Sequence, residues 1–227
     1  MFIRYYQKID DALAYLMASS LNEKKLLKSF FSKKKISLID IGSNEGSYID
    51  LINSIFFLKE IHCIEPLKEL TDKIKSRYSN AKIYNIALSN RFSKRNFYEY
   101  SISSTSSLYR QNNLYKSFKN LKSKKIVRTN TFDKVFGDKK KFDICKIDVQ
   151  GEDFKVIMGM KNNLKKGNIK LLKVELNLEK FYENTDETFY DILFYLKKYN
   201  YKLISISKIK HLNNRITFMD GYFSIYK

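Results

Sequence analysis

Proline is almost absent from this chain: Pro66 is the one proline in 227 residues. Loops built on paired prolines are therefore missing, and so is any Pro-Cys dipeptide. Cysteine is nearly as scarce. Cys63 and Cys145 both fall in apolar, strand-like runs, where a free thiol behaves as a small hydrophobe, so a disulfide scaffold is excluded. No run of about 18 apolar residues is available to cross a bilayer. The start of the chain has no signal-peptide pattern, and a reducing cytoplasm is the expected location. Acid is in short supply too, with 24 Asp and Glu against 43 Lys and Arg, for a net charge of +19. Such an excess suits nucleic acid or an anionic membrane surface. Here it is spread along the chain, with short runs only at Lys33-Lys34-Lys35 and Lys139-Lys140-Lys141. It reads as a lysine-rich solvated surface whose field favours anionic substrates, including sugars carried on a nucleotide diphosphate.

What the chain does have is core material: 44% of residues are hydrophobic and 15% aromatic. Its length fits one well-filled α/β domain and is short for two. Phe2, Tyr6, Ile9, Leu13, Leu16 and Met17 have helical spacing, which predicts a packing helix. Asp10, Asp11 and Glu23 dilute the basic face that an anionic membrane would want. Residues 1–35 are accordingly read as an N-terminal helical extension, and 36–227 as the main domain. Beyond residue 35 strands and helices alternate, which predicts a mainly parallel, doubly wound sheet. Strands are expected near 36–41, 61–65, 82–87, 142–147, 170–176, 200–206 and 218–226, the last two as an antiparallel pair at the sheet edge. Helices are expected near 45–58, 66–78, 151–160 and 186–199, the last capped by Thr185. Region 90–130 breaks the alternation, with one extra strand at Phe97-Tyr98-Glu99-Tyr100 and a long polar loop, Ser101 to Leu108. The hydroxyls of that loop, with Tyr109 and Tyr115, are placed to serve a substrate.

The most informative stretch is Leu38-Ile39-Asp40-Ile41-Gly42-Ser43-Asn44-Glu45-Gly46, an apolar strand running into a tight turn with two glycines four apart. Nineteen residues after Gly46, a second apolar strand ends in Glu65-Pro66, which puts an acid where a nucleotide-binding half-fold meets ribose hydroxyls. The third glycine of a dinucleotide turn is missing, and Glu45 between the two present would repel a pyrophosphate. No glycine is followed by the Lys-Ser/Thr pair of a phosphate-binding loop. The pattern suits S-adenosylmethionine, whose amino group a carboxylate can meet and whose carboxylate can sit at a helix N-terminus.

A second constellation is Phe142-Asp143-Ile144-Cys145-Lys146-Ile147-Asp148-Val149-Gln150-Gly151-Glu152-Asp153, a buried-looking strand that delivers a polar cluster at its carboxyl end. Ligands bind at that edge of open α/β sheets. The strand Leu171 to Asn177 brings Glu175 toward the same edge. At this point Asp148 also suits a helix cap or turn, and Glu175 a surface salt bridge.

Taken with Ile64-Glu65-Pro66, Ile86-Ala87-Leu88-Ser89, Ser106-Ser107-Leu108, Thr131-Phe132-Asp133 and Val174-Glu175, these blocks resemble the FkbM family of S-adenosylmethionine-dependent methyltransferases from about residue 36 to 206. The resemblance implies a class I methyltransferase fold, an α/β Rossmann-like seven-stranded sheet with its last strand reversed and helices on both faces. It implies O-methylation, commonly of sugar hydroxyls in glycans or glycosylated products. By motif, Asp40, Gly42, Asn44 and Gly46 match the cofactor loop, Glu65 the ribose acid, Ala87 the position beside adenine and Asp148 the substrate-facing acid. Ser107 and Gln150 are read as substrate-binding. Family members often carry Ala where this chain has Ser43, and a His after the Val-Glu pair where it has Leu176-Asn177.

Methyl transfer from a sulfonium is an in-line displacement in which an alcohol acceptor needs a base. Asp148 is the expected base, with Glu175 assisting or orienting the acceptor, and His211 a weaker choice. A divalent metal between these acids and the acceptor stays open, since no ligand spacing assigns one. The expected partner is a small molecule or glycan, with a nucleotide sugar and a homo-oligomer both open. The rival enzyme class is a nucleic-acid methyltransferase. The missing proline motifs remove exocyclic-amine and cysteine-dependent carbon methylation and leave ribose methylation open. A rival outside enzymes is a nucleotide-sugar or RNA-binding module on the same fold.

Overall fold

The computed structural model describes residues 22–112, 120–185, 187–212 and 214–225. The expected helix built on Phe2 to Met17 and the substrate role of Tyr115 lie outside these residues. Helix α1 (22–30) leads into β1 (Lys35–Ile41), followed by α2 (Ser47–Asn53), β2 (Phe57–Ile64), α3 (Lys68–Arg77) and β3 (Lys82–Tyr84). Then come β4 (Ala87–Leu88), β5 (Ser93–Tyr100), β6 (Leu121–Asn130), α4 (Phe132–Phe136), β7 (Phe142–Ile147), α5 (Asp153–Met158) and α6 (Lys161–Lys165). The chain closes with β8 (Ile169–Asn177), α7 (Phe189–Lys197), β9 (Tyr201–Leu212) and β10 (Arg215–Ile225).

Seven strands form one sheet in the order β3-β2-β1-β7-β8-β10-β9. β10 runs antiparallel to both neighbours, while β1, β2, β3, β7 and β8 pair in parallel. The expected α/β sheet with a reversed last strand is present. Its central strands are buried on both faces, so β1 and β7 are mainly apolar, with Asp40 and Lys146 near the site and Ser37 bonded to Asp143 toward the other end. One core layer gathers Ile39, Ile41, Ile147, Val174, Phe132 and Leu164 under α4 to α7. The opposite layer joins Leu38, Ile144 and Leu171 to Leu27 and Phe31 of the N-terminal segment, and to Ile49 and Ile52 of α2.

Three local expectations are corrected. The strand expected over 82–87 divides, because Ala87 and Leu88 pair with β6 in a separate three-stranded sheet of order β4-β6-β5. β6 was not expected at all: its Lys122, Lys124, Lys125 and Arg128 hide the alternation, and pairing with β5 is what extends it. Thr188, not Thr185, caps α7, through a reciprocal capping box with Asp191, while the Thr185 hydroxyl donates to the carbonyl of Tyr182.

Candidate functional site

The site lies at the carboxyl ends of β1, β2, β7 and β8, where the turns after parallel strands open a crevice. After β1, Gly42, Asn44 and Gly46 all take positive φ, at 75°, 47° and 83°. A side chain at 42 is forbidden by space as well as by angle, since a Cβ there would stand 2.0 Å from the Asp148 carbonyl oxygen. The β1 and β7 turns are therefore packed backbone against backbone. Glu65, at the end of β2, is almost wholly buried, and its carboxylate accepts the amides of Asn44 and Leu67, each at 3.0 Å. Burial raises its pKa to about 7, against the pull of those two amides. Ser103 of the polar loop donates to the Asn44 side chain at 2.9 Å and ties that loop over the glycine turn.

These groups border a cleft of about 530 Å³. Gly42, Asn44 and Glu65 supply its polar end, and Ala87, Leu88, Phe97, Leu108 and Val149 an apolar slot. A flat purine fits the slot by its chemistry, and Glu65 stands where a ribose diol can donate. Two expected residues are elsewhere. The Asp40 carboxylate is fully buried beneath the turn and outside the cleft lining, 3.1 Å from the Lys146 ammonium. Lys146 in turn donates to the Gly42 carbonyl at 2.8 Å and stands 3.6 Å from Asp148. Asp40 thus acts on the turn through Lys146. Burial works against the Lys146 charge, but Asp40 and Asp148 outweigh it and keep the amine protonated.

Ser107 is the second correction. It is fully buried, donating to the Gln150 carbonyl at 2.6 Å and accepting the Tyr109 amide at 3.0 Å, and it is not in the lining of this cleft or of the one beside Glu175. Its hydroxyl holds the Gln150 backbone, so Ser107→Ala should cost about 2 kcal/mol by stranding a buried carbonyl and amide. A thermal melt should record a fall in Tm of about 6 °C for a chain of this size. An unchanged Tm would mean that the two contacts contribute nothing.

Gln150 is the hinge of the second cleft, held at φ 56°. Its side-chain nitrogen donates to Asp148 at 2.7 Å and reaches Glu175 at 3.3 Å, while its oxygen accepts the Tyr182 hydroxyl at 2.6 Å. That arrangement assigns the amide's orientation and joins the two acids. Asp148 is free for this because Asp153, not Asp148, closes the turn, accepting the amides of Val149 and Gly151, both at 3.1 Å. The Asp148 side chain keeps 36% of its exposure. Burial opposes its ionisation, yet Lys146 and the Gln150 amide prevail and hold its pKa below the ordinary carboxylate value. Glu175 is driven the other way, well above the ordinary value, first by burial and then by Asp148, Asp153 and Asp220. The two neighbouring carboxyl groups thus have pKa values pushed in opposite directions.

Asp148, Gln150 and Glu175 border a further cleft of about 650 Å³ with Ser104, Asn177, Phe181, Tyr182 and Phe218. It shares Ser104, Asp148 and Gln150 with the first, so the two clefts adjoin at these residues. Among the described residues, no lysine or arginine lines it. Lys146, Asn177 and Tyr182 were not foreseen as site residues; the alternation of β7, which points Lys146 and Asp148 to one face, is the signal that could have found the first. His211 is exposed near the β9–β10 tip, opposite Ile216, and takes no part. Among the described residues, no group of three or more His, Cys, Asp or Glu is placed to hold a metal. Among the same residues, no helix is long and apolar enough to cross a membrane.

Comparison with solved structures relates the fold to that of methyltransferases. Methyltransferase FkbM from Methylobacillus flagellatus is similar over 84% of this chain, at 12% identity and a TM-score of 0.54; this chain spans 44% of that protein's length. An S-adenosylmethionine-dependent methyltransferase from Clostridium acetobutylicum matches over 99% of this chain and 97% of its own, at 10% identity and a TM-score of 0.52. The Burkholderia thailandensis 1,6-didemethyltoxoflavin-N1-methyltransferase, solved with its substrate and S-adenosylhomocysteine, matches over 100% of this chain and 86% of its own, at 6% identity and a TM-score of 0.51. No functionally curated protein matches the sequence. The family model of the methyltransferase FkbM domain matches residues 40–203, from the first acid of the glycine turn to the start of β9. The chain therefore belongs to the FkbM methyltransferase family and has the fold of S-adenosylmethionine-dependent methyltransferases.

Proposed function

We propose that the protein is an S-adenosylmethionine-dependent O-methyltransferase acting on a hydroxyl of a sugar, either nucleotide-linked or within a glycan. One observation carries this reading: the cofactor cleft and the second cleft share Asp148 and Gln150, and among the described residues the second is lined by carboxyl, amide, hydroxyl and aromatic groups without a lysine or arginine. Such a wall suits a neutral polyol, whose hydroxyls bond to acids and amides while its apolar face lies on Phe181 or Phe218. Its carboxylates would disfavour a phosphate at the reacting end, so any diphosphate of a nucleotide sugar would lie outside this cleft.

Glu65 would hold the ribose, the 42–46 turn the amino-acid end, and the slot beside Ala87 the adenine. S-adenosylmethionine, when bound, supplies a methyl group on an electrophilic sulfonium. Asp148, ionised and partly open, accepts the proton of the acceptor hydroxyl. Glu175, protonated, donates a hydrogen bond that orients a neighbouring acceptor oxygen. Gln150 keeps the two carboxyls at a fixed separation, and Tyr182 keeps Gln150 from rotating.

The cofactor half of this reading predicts a pH dependence of definite sign. Glu65 titrates near 7 in the free protein, and a ribose diol donating to it favours the carboxylate. Affinity for S-adenosylhomocysteine should therefore rise with pH, about tenfold from pH 6 to pH 8, with proton release at pH 6. Calorimetry in buffers of differing ionisation enthalpy measures both, and Glu65→Gln should abolish the pH dependence. Equal affinity at both pH values would remove Glu65 from the ribose site.

For the acceptor, methyl transfer from labelled cofactor is measured to a panel of nucleotide sugars, to purified surface glycan and to RNA. Label in a sugar hydroxyl supports the proposal. Label in RNA ribose, with binding that weakens steeply as salt rises, would replace it with the ribose reading.

A further inference from the structure

Helix α1 covers the sheet with Leu27, and Phe31 just after it does the same, but the helix also carries an acid into the interior. The Glu23 side chain is fully buried, and its Oε1 lies 2.9 Å from the Nζ of Lys173, itself almost wholly enclosed. Packing alone has no need of this carboxylate. A buried charge is costly unless paired, and an apolar residue would cover the same surface without that cost. Lys173 is the register partner of Lys146 and lies two residues before Glu175 on β8, so its side chain projects on the same face as Glu175. Its second counter-ion is Asp220, at 3.0 Å, and Asp220 is the residue of β10 directly opposite Glu175. A continuous chain of charge thus runs from α1, through Lys173 and Asp220, to the acid that walls the second cleft.

We propose that Glu23 is a positioning residue for Glu175: by pairing with Lys173 it fixes the charge behind β8, so that the N-terminal helix and the acid pair work as one unit. The inference rests on the role given to Glu175 above, and it joins residues 22–30 to a site that sequence reading confines to the domain after residue 35.

Among the described residues, few groups face this network. Tyr48 of α2 and Tyr222 of β10 place their rings 4.5 and 5.6 Å from the Lys173 nitrogen, and Lys208 of β9 reaches Asp220 at 3.5 Å. Asp40 and Lys146 follow along the same face. Glu175 is faced by Asp148, Asp153 and Asp220, and by the amides of Gln150 and Asn177. Removing the Glu23 charge leaves Lys173 balanced by Asp220 alone, so the surroundings of Glu175 become more positive by one charge. Its carboxyl should then ionise at lower pH.

The test uses the full chain labelled with ¹³C at glutamate Cδ, with the Glu175 signal assigned by Glu175→Gln, and follows its titration without any acceptor. In Glu23→Gln, the midpoint of Glu175 should fall by about one pH unit, and that of Glu65 should stay in place. In Glu23→Gln/Lys173→Met, which deletes both charges, the midpoint should return to the wild-type value or above. An unmoved midpoint in Glu23→Gln, whatever its Tm, would reduce Glu23 to a structural ion pair. If that variant fails to fold, the double variant decides, because a midpoint below wild type there overturns the proposal. None of these signals depends on methyl transfer, so a wrong assignment of the acceptor sugar leaves the result readable.

Discussion

Gly42→Ala is expected to cost about 3 kcal/mol and to abolish measurable cofactor binding, from strain in the left-handed region together with overpacking. Gly42 has φ 75°, and an added Cβ would overlap the Asp148 carbonyl at 2.0 Å. Neither neighbour can yield cheaply, because the obstacle is backbone. The Asp148 amide is bonded to the Ile41 carbonyl at 3.1 Å, and Lys146 holds the Gly42 carbonyl from below. Any relief of the clash must part the β1 and β7 turns, which moves Asp148 and the cofactor turn together. A thermal melt should show a drop of about 10 °C, on the scale expected for a chain of this length. Calorimetry should show no S-adenosylhomocysteine binding at concentrations that saturate the wild type. A variant with wild-type Tm and affinity would mean that the two turns are not in contact.

Asp148→Asn is expected to lower kcat by about 10² to 10⁴, the range ascribed to a positioned general base. The change keeps the volume and removes the charge. Affinity for the cofactor should stay within a few-fold, since Glu65 and the glycine turn are untouched. Activity in the wild type should rise as Asp148 ionises, below the ordinary carboxylate value, and fall as Glu175 loses its proton, well above it. The sign of the stability effect follows from the same shifts. Because the folded-state pKa of Asp148 is depressed, its contribution is present above the unfolded value and is lost as pH falls through the folded one. Glu175 has a raised folded-state pKa, so the folded protein holds an extra proton and loses stability as pH climbs from the unfolded value to the folded one. Glu175→Gln should therefore remove the alkaline limb of the activity profile and raise Tm at alkaline pH relative to wild type. An Asp148→Asn enzyme with wild-type kcat would move the base elsewhere.

Much of the site can be read in the sequence because its parts lie at strand ends, and strand ends are marked by residue type. Gly42, Gly46, Glu65, Asp148 and Glu175 each follow or close an apolar run, and a parallel sheet brings such positions to one edge. What could not be read is the direction in which a polar residue near that edge points. Asp40 and Ser107 carry the right chemistry in the right motifs, but both face inward, toward Lys146 and the Gln150 backbone. Asp148 is also ambiguous in sequence with a helix cap or turn acid, a duty that Asp153 takes in the structure. β6 stayed hidden for a different reason: a strand whose residues are exposed or half-buried along nearly all its length carries no apolar signature, and its existence depends on pairing with β5, more than twenty residues away.

The sequence by itself determined the sheet, the glycine turn and the family, because periodicity and backbone conformational limits act over a few residues. Only the tertiary structure decided that Gln150 would couple Asp148 to Glu175, and that Glu23 would be buried against Lys173. Both depend on side chains from distant segments sharing a low-dielectric space, where a carboxylate's charge is settled by its neighbours and not by its own residue type.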